Sequence, residues 1–367
     1  MNDHRPGAGQ AGAPHWRDAA PGDADPASMA AEATGAEGRL AKAALISAAV
    51  LAGMALQVRA DARQAERDCP PLGRFLAAGG VRLHFVEAGR SGGPPVVLLH
   101  GNAVMAEDFV ASGVLGLAAE QRRVVAFDRP GYGYSERPRD RLWTAEAQAA
   151  VFAEAFGRLG IERPIVVGHS WGTLVAIALA LNHPEAVGGL VLVSGYYFPT
   201  TRADVALFSP PAIPVAGDLI RYTVGPLIGR MIAPKMIRRM FYPAPVPPAF
   251  AEATPVPMML RPWQIKASAE DAAAMIPAAA AFEERYGELR RLPVSILAGT
   301  EDQIVDVGRH SARLHRELPG SDLHLVPGLG HMVHYGVPGL VADAIGAVAA
   351  VARGPETSSL GSVSAGP

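Results

Sequence analysis

PIVVGHSWG, residues Pro164 to Gly172, is a short apolar run that ends in a G-x-S-x-G turn. Proline and glycine bound the β-branched run, which suits a strand buried on both faces. From Trp171 to Asn182 the chain continues in small and aliphatic residues that suit a helix. Strand, turn and helix in that order hold Ser170 in a strained, exposed conformation. The glycines serve the turn because neighbouring backbones approach too closely for a Cβ. A serine hydroxyl is a poor nucleophile alone. It needs a base within hydrogen-bond reach, itself oriented by a carboxylate.

Working outward, further strand-like runs occur at 81–88, 95–99, 123–127, 190–194, 294–298 and 323–326, with helical patterns at 145–159 and 340–351. Strands alternating with helices predict an α/β fold with a mostly parallel central sheet and helices on both faces. Gly299-Thr300-Glu301-Asp302 follows the 294–298 run, and Pro327-Gly328-Leu329-Gly330-His331 follows 323–326. Asp302 and His331 therefore emerge at the strand ends where Ser170 emerges, the edge at which open α/β sheets place their sites. His100-Gly101-Asn102 closes another strand, and its amides, with that of Trp171, are oxyanion donors by position.

The HGN turn, Asp128-Arg129-Pro130-Gly131-Tyr132-Gly133-Tyr134-Ser135, the serine turn, the GxxD turn and the GxGH turn occur in register across about 85–351. In these landmarks the chain resembles the α/β-hydrolase superfamily. The resemblance implies Ser170 as nucleophile, His331 as base, Asp302 as orienting acid, and the Asn102 and Trp171 amides as oxyanion hole. It also implies neither a metal nor an organic cofactor.

Rival readings stand beside each role. Glu301 and Asp306 lie near Asp302, and position in the GxxD turn favours Asp302. His334 competes with His331 but falls three residues past the turn, and the pair has a spacing that two metal ligands can share. His100, His169 and the DRPGYGYS loop read best as structural, with Asp128 bonding nearby amides. Tyr196, Tyr197 and Trp263 are the pocket residues expected of the segment that follows.

That segment, 196–291, separates two strands by far more chain than a connection needs, is rich in Pro and Met, and reads as an inserted helical lid. The remaining boundaries follow: 1–38 disordered, 39–60 an apolar helix, 69–195 and 292–353 the two parts of the core, and 354–367 a disordered tail. The run Ala43–Val58 admits three readings: an export signal (with a start at Met29 and cleavage near Val58-Arg59-Ala60), a short membrane anchor, or a surface helix. Membrane association through 43–58, or export, is the expectation; a surface helix alone leaves the protein cytoplasmic.

Composition narrows the class of partner. Thirty-three Lys+Arg against 35 Asp+Glu give a net charge of −2, which excludes the basic surface of a general nucleic-acid binder. A single cysteine, Cys69, excludes a disulfide framework. Asn after HG and Trp after the nucleophile resemble the halide-binding pair of haloalkane dehalogenases, yet serine would leave an ether there that the site could not hydrolyse. The same argument disfavours epoxide hydrolysis. Serine chemistry means acyl transfer, so the expected activity is a carboxylesterase for small or medium apolar esters, with amides close behind. Proline iminopeptidase-like, carbon–carbon bond hydrolase, perhydrolase and lyase chemistry share the triad. A non-catalytic ligand-binding role is the alternative of another class.

Overall fold

The apolar runs fold as strands β1 (Arg74–Ala78), β2 (Val81–Ala88), β3 (Val96–Leu99), β4 (Val124–Phe127), β5 (Ile165–His169), β6 (Gly189–Val193), β7 (Val294–Gly299) and β8 (Asp322–Val326). The structure, a computed structural model, describes residues 26–90 and 92–353. The strands form one sheet in the order β1-β2-β4-β3-β5-β6-β7-β8. Only β1–β2 and β2–β4 pair antiparallel; from β4 to β8 every pairing is parallel.

The chain divides into two units, 1–53 and 54–367. Helix α1 (Pro26–Asp68) begins in the first. Residues 26–38, expected to lack structure, are helical, and the apolar helix runs past 60 to Asp68. Residues 1–25 and the expected tail at 354–367 lie outside the described residues. The Glu37–Asp68 part of α1 is long and apolar enough to cross a membrane, with a mean hydropathy of 1.7 over its most apolar window.

In the second unit, helices α2 (Glu107–Ala111), α3 (Val114–Ala119), α4 (Ala145–Leu159) and α5 (Gly172–Asn182) alternate with the strands. Between β6 and β7 come α6 (Ala203–Phe208), α7 (Ala216–Tyr222), α8 (Gly225–Phe241), α9 (Pro248–Ala253), α10 (Val256–Met259) and α11 (Pro262–Glu283). The chain closes with α12 (Ser311–Glu317), α13 (Val333–Gly336) and α14 (Pro338–Ala352).

Strand periodicity sorts the core into two layers. Val97, Leu99, Val166, Leu190 and Ile296 face α4 and α5. Their neighbours Val96, Leu98, Val167, Val191 and Leu297 face α3 and α14. Both faces are covered, which is why these strands are apolar throughout instead of alternating. Helix α5 is buried on every side from Gly172 to Leu181, and it is apolar all round for that reason.

The turn from β5 into α5 needs its glycines. A Cβ on Gly172 would lie 2.1 Å from the Leu99 carbonyl oxygen, and one on Gly168 would lie 2.6 Å from the Gly172 carbonyl oxygen. Backbone cannot yield as a side-chain tip can. Gly172→Ala is expected to cost about 4 kcal/mol or more, or to prevent folding. Gly346→Ala, in α14 with open space around its Cβ position, is expected to be neutral or to stabilise by up to about 1 kcal/mol. Urea midpoints of the two variants check the contrast.

Candidate active site

Ser170 sits at the end of β5 with φ of +51°, in the left-handed region. That strain lifts its side chain off the sheet edge, and its amide is held by the Val193 carbonyl at 2.8 Å. The Oγ lies 2.8 Å from His331 Nε2. His331 Nδ1 lies 2.8 Å from Asp302 Oδ2. Asp302 follows β7, and its other oxygen accepts the amides of Ile304 and Val305 at 2.7 and 3.0 Å. The carboxylate is thus fixed on both oxygens. Ser170, His331 and Asp302 are brought together as expected, from three strand ends.

The rivals are elsewhere. Glu301 is exposed, and Asp306 accepts the Arg309 amide at 2.8 Å. His334 is fully buried, with Nε2 at 3.0 Å from Asp108 Oδ2. His100 takes the Arg129 amide on Nε2 at 2.9 Å, so its Nδ1 carries the proton and donates to the Gly101 carbonyl at 2.7 Å. Burial, reinforced by the Arg129 charge, pushes His100 down to about 4. Burial also holds His169 well below the ordinary range, helped by His334 and His331. Both rings stay neutral at pH 7, and neither bonds the serine. His169 Nε2 instead lies 3.2 Å from the His331 carbonyl, under the backbone of the imidazole that bonds Ser170.

Asp108, His169 and His334 bring three ligand-type atoms within 4.8 Å of one another in full burial. Asp108 and His334 already bond each other, which gives the cluster a structural use without an ion. Next to Asp108, Glu107 is also buried, and its Oε2 has no hydrogen-bond partner. Burial, with the Asp128 charge next, pushes its carboxyl up to about 7. The folded protein therefore keeps a proton that the unfolded chain releases near 4.5. Stability from this group is present below 4.5 and lost as pH rises through 7. Glu107→Gln is expected to gain about 3 kcal/mol over the wild type at pH 8 relative to the difference at pH 4.5. Denaturation at the two pH values reads it.

The His100-Gly101-Asn102 turn is held by α11 and by Arg129. The N–H groups of Asn102 and Trp171 donate to no carbonyl within these turns, and Trp171 stands at the positive end of α5. Their side chains are occupied. Asn102 Nδ2 donates to the Ser268 carbonyl at 3.1 Å, and its Oδ1 accepts from Ser268 Oγ and, 2.9 Å from Tyr132 Oη, shares the Tyr132 hydroxyl proton with Asp271. Trp171 Nε1 donates to the Asp271 carbonyl at 2.8 Å. Both members of the pair that resembles a halide-binding pair thus donate a side-chain hydrogen bond to α11.

Arg129, assigned to a structural loop by its sequence context, is the residue whose importance sequence reasoning missed. It is wholly buried. Its guanidinium donates to the His100 carbonyl at 2.8 Å, the Gly101 carbonyl at 3.0 Å and Asp271 Oδ2 at 2.7 Å. It also stacks over Tyr132 and Trp171 at 4.5 and 4.7 Å. Asp271, in α11, further accepts from Tyr132 Oη at 2.8 Å and Arg137 at 3.1 Å. One ion pair thereby ties the His100-Gly101-Asn102 turn to the insertion. Asp128 bonds amides as expected, those of Ala106 and Tyr134, both at 2.8 Å.

The expected pocket residues fall apart. Tyr197 is fully buried in the sheet core with Phe198 and Tyr286. Tyr196 is buried beside Val305 and Ala279, its ring 4.4 Å from His310, where it supports the Asp302 loop. Trp263 lines a separate cavity of about 460 Å³ with Glu66, Tyr134 and Arg137, and none of the triad borders it.

A family model described as the alpha/beta hydrolase fold matches residues 94–336. The chain is 28% identical over 275 residues to a 2-hydroxymuconate semialdehyde hydrolase of Pseudomonas putida, covering 73% of this chain and 90% of that protein. It is 25% identical over 276 residues to haloalkane dehalogenase 2 of Mycobacterium tuberculosis, covering 72% and 90%. Among solved structures, a thermophilic esterase from Thermogutta terrifontis is similar with a TM-score of 0.63 at 24% identity, covering 76% of this chain and 99% of that one.

Proposed function

The chain belongs to the alpha/beta hydrolase fold family, and from that premise we propose a serine hydrolase that cleaves small or medium apolar carboxylic esters by acyl transfer. The single observation that carries this reading is the chain of two 2.8 Å hydrogen bonds from Ser170 Oγ through His331 to Asp302. Ser170 Oγ attacks the ester carbonyl while His331 Nε2 takes its proton. Asp302 steadies the imidazolium through Nδ1–H. The carbonyl oxygen, now an oxyanion, is met by the Asn102 and Trp171 amides. Collapse breaks the carbon–oxygen bond, and the alkoxide leaves with the proton from His331. Water, deprotonated by His331, then hydrolyses the acyl-serine and releases the acid.

A second reading has support from the Pseudomonas putida relative, whose name is that of a 2-hydroxymuconate semialdehyde hydrolase. The same triad serves carbon–carbon bond hydrolysis. Dehalogenase chemistry, the name of the Mycobacterium tuberculosis relative, is disfavoured by the nucleophile: attack by Ser170 would leave an ether that the site could not hydrolyse. The insertion 196–291 acts as the lid over the site, and the apolar part of α1 as a membrane anchor. Val58 is buried and Arg59 lies 5.2 Å from the Tyr222 ring, contacts that a signal cut near residue 60 would sever from the chain.

A chain-length series of p-nitrophenyl esters, run beside 2-hydroxymuconate semialdehyde with Ser170→Ala as control, tests the proposal. Serine-dependent ester turnover peaking at one chain length supports the first reading. Turnover of the semialdehyde alone moves the assignment to carbon–carbon bonds.

A further inference from the structure

The insertion carries an apolar surface that no other part of the second unit covers. Leu207, Val215, Leu219, Leu227, Ile228 and Met231 are all exposed, Val215 and Met231 by 81% and 82%. A soluble surface scatters such residues; here six of them crowd α6, α7, α8 and their connections. The charge around them is one-sided. Between Asp218 and Glu252 the sequence holds no acidic residue but five basic ones, Arg221, Arg230, Lys235, Arg238 and Arg239. Arg221 is buried against Asp218; the other four are exposed.

Helical spacing places these groups on one face. Leu227, Met231, Lys235 and Arg238 step by four, four and three along α8, so the exposed stripe is apolar over its first half and cationic over its second. Lys235 and Arg238 have no ion-pair partner among the described residues. Arg230, on the flank, pairs with Asp61 of α1 at 2.7 Å, and Arg59 lies over Tyr222 of α7. The 54–68 end of the apolar helix therefore joins the insertion beside this face.

From this we infer that the α7–α8 face docks on an anionic phospholipid surface, with Leu227 and Met231 entering the acyl boundary and Lys235 and Arg238 meeting the headgroup phosphates. An exposed helical stripe that passes from apolar to cationic, with no acid anywhere along α8, is the pattern of an interfacial helix. A protein partner of matching shape would not require the missing acids. The inference stands apart from which bond the site cleaves.

The test uses the full chain with Cys69→Ser and a bimane label at Met231→Cys, mixed with vesicles carrying doxyl-labelled lipid. A label at the exposed Glu185→Cys, just ahead of the start of β6 and so at the end of the parallel strands opposite Ser170, is the control. With phosphatidylglycerol vesicles, strong quenching at 231 and none at 185 is expected. Lys235→Glu with Arg238→Glu should cut the 231 quenching at least fivefold, since each basic group near the surface is worth about 1 kcal/mol. Flotation with vesicles but no quenching at 231 would overturn the docking face while leaving the α1 anchor intact. Equal quenching at both labels, or self-quenching at 231 without lipid, would overturn it in favour of unspecific insertion or a second copy. Ester turnover, read separately with a soluble substrate, keeps these outcomes distinct from failure of the hydrolase reading.

Discussion

Turnover of a p-nitrophenyl ester is expected to fall about a millionfold on Ser170→Ala, with the fold intact. The serine is half-buried, makes one side-chain hydrogen bond, to His331, and its φ of +51° is no worse for alanine. Nothing structural depends on the hydroxyl, whereas the covalent step depends on it entirely. Asp302→Asn should cost about 10⁴-fold, because the amide would present its N–H₂ or carbonyl to His331 Nδ1 without the charge that steadies the imidazolium. Matched circular dichroism spectra and urea midpoints would assign both losses to chemistry. A Ser170→Ala enzyme that kept a tenth of its activity would refute the nucleophile.

The second large effect is on stability. Asp271→Ala is expected to destabilise the protein by about 3–5 kcal/mol, since it strands the buried Arg129 guanidinium beside Tyr132 and Trp171. Arg137 is less affected because Glu270 also holds it, at 2.7 Å. Replacing both partners, Arg129→Met with Asp271→Leu, should recover much of the loss, as apolar groups remove the uncompensated charge. The double variant should still lose activity, because the His100 and Gly101 carbonyls are released. Denaturation of the three variants and their kcat values separate the two consequences. A cost below about 1 kcal/mol for Asp271→Ala would show that the pair is not the clamp described.

Strands β3 to β7 were legible because each is a short apolar run bounded by Gly, Pro or Asp and covered on both faces, whereas β2 was legible from its alternation of apolar and polar residues. Strand β1 was not: Arg74–Ala78 is a half-exposed edge strand of mixed character, and such strands carry a weak signal. The start of α1 was missed because Ala-, Glu- and Gly-rich residues 26–38 have no apolar periodicity, although alanine favours a helix on propensity alone. The juxtaposition of Ser170, His331 and Asp302 was legible from turn chemistry at strand ends, since three landmarks each fix one residue at the same edge.

The support beneath it was hidden. Asp271 follows Glu270 in an alanine-rich helix, and nothing local announces that Arg129, 142 residues away, needs the second acid and not the first. The surroundings of the expected pocket residues were hidden for the same reason. Tyr196, Tyr197 and Trp263 are aromatic residues after a strand or in a helix, and only packing decides which way they turn; Tyr197 turned into the core and Trp263 toward another cavity.

The central claim is that Ser170 is a nucleophile activated by His331, and reaction with a fluorophosphonate followed by intact-mass and peptide analysis tests it most directly. One adduct per chain is expected, on Ser170, absent from Ser170→Ala and formed far more slowly by His331→Ala. A folded wild-type protein that takes up no adduct, or an adduct that persists in Ser170→Ala, would contradict the account.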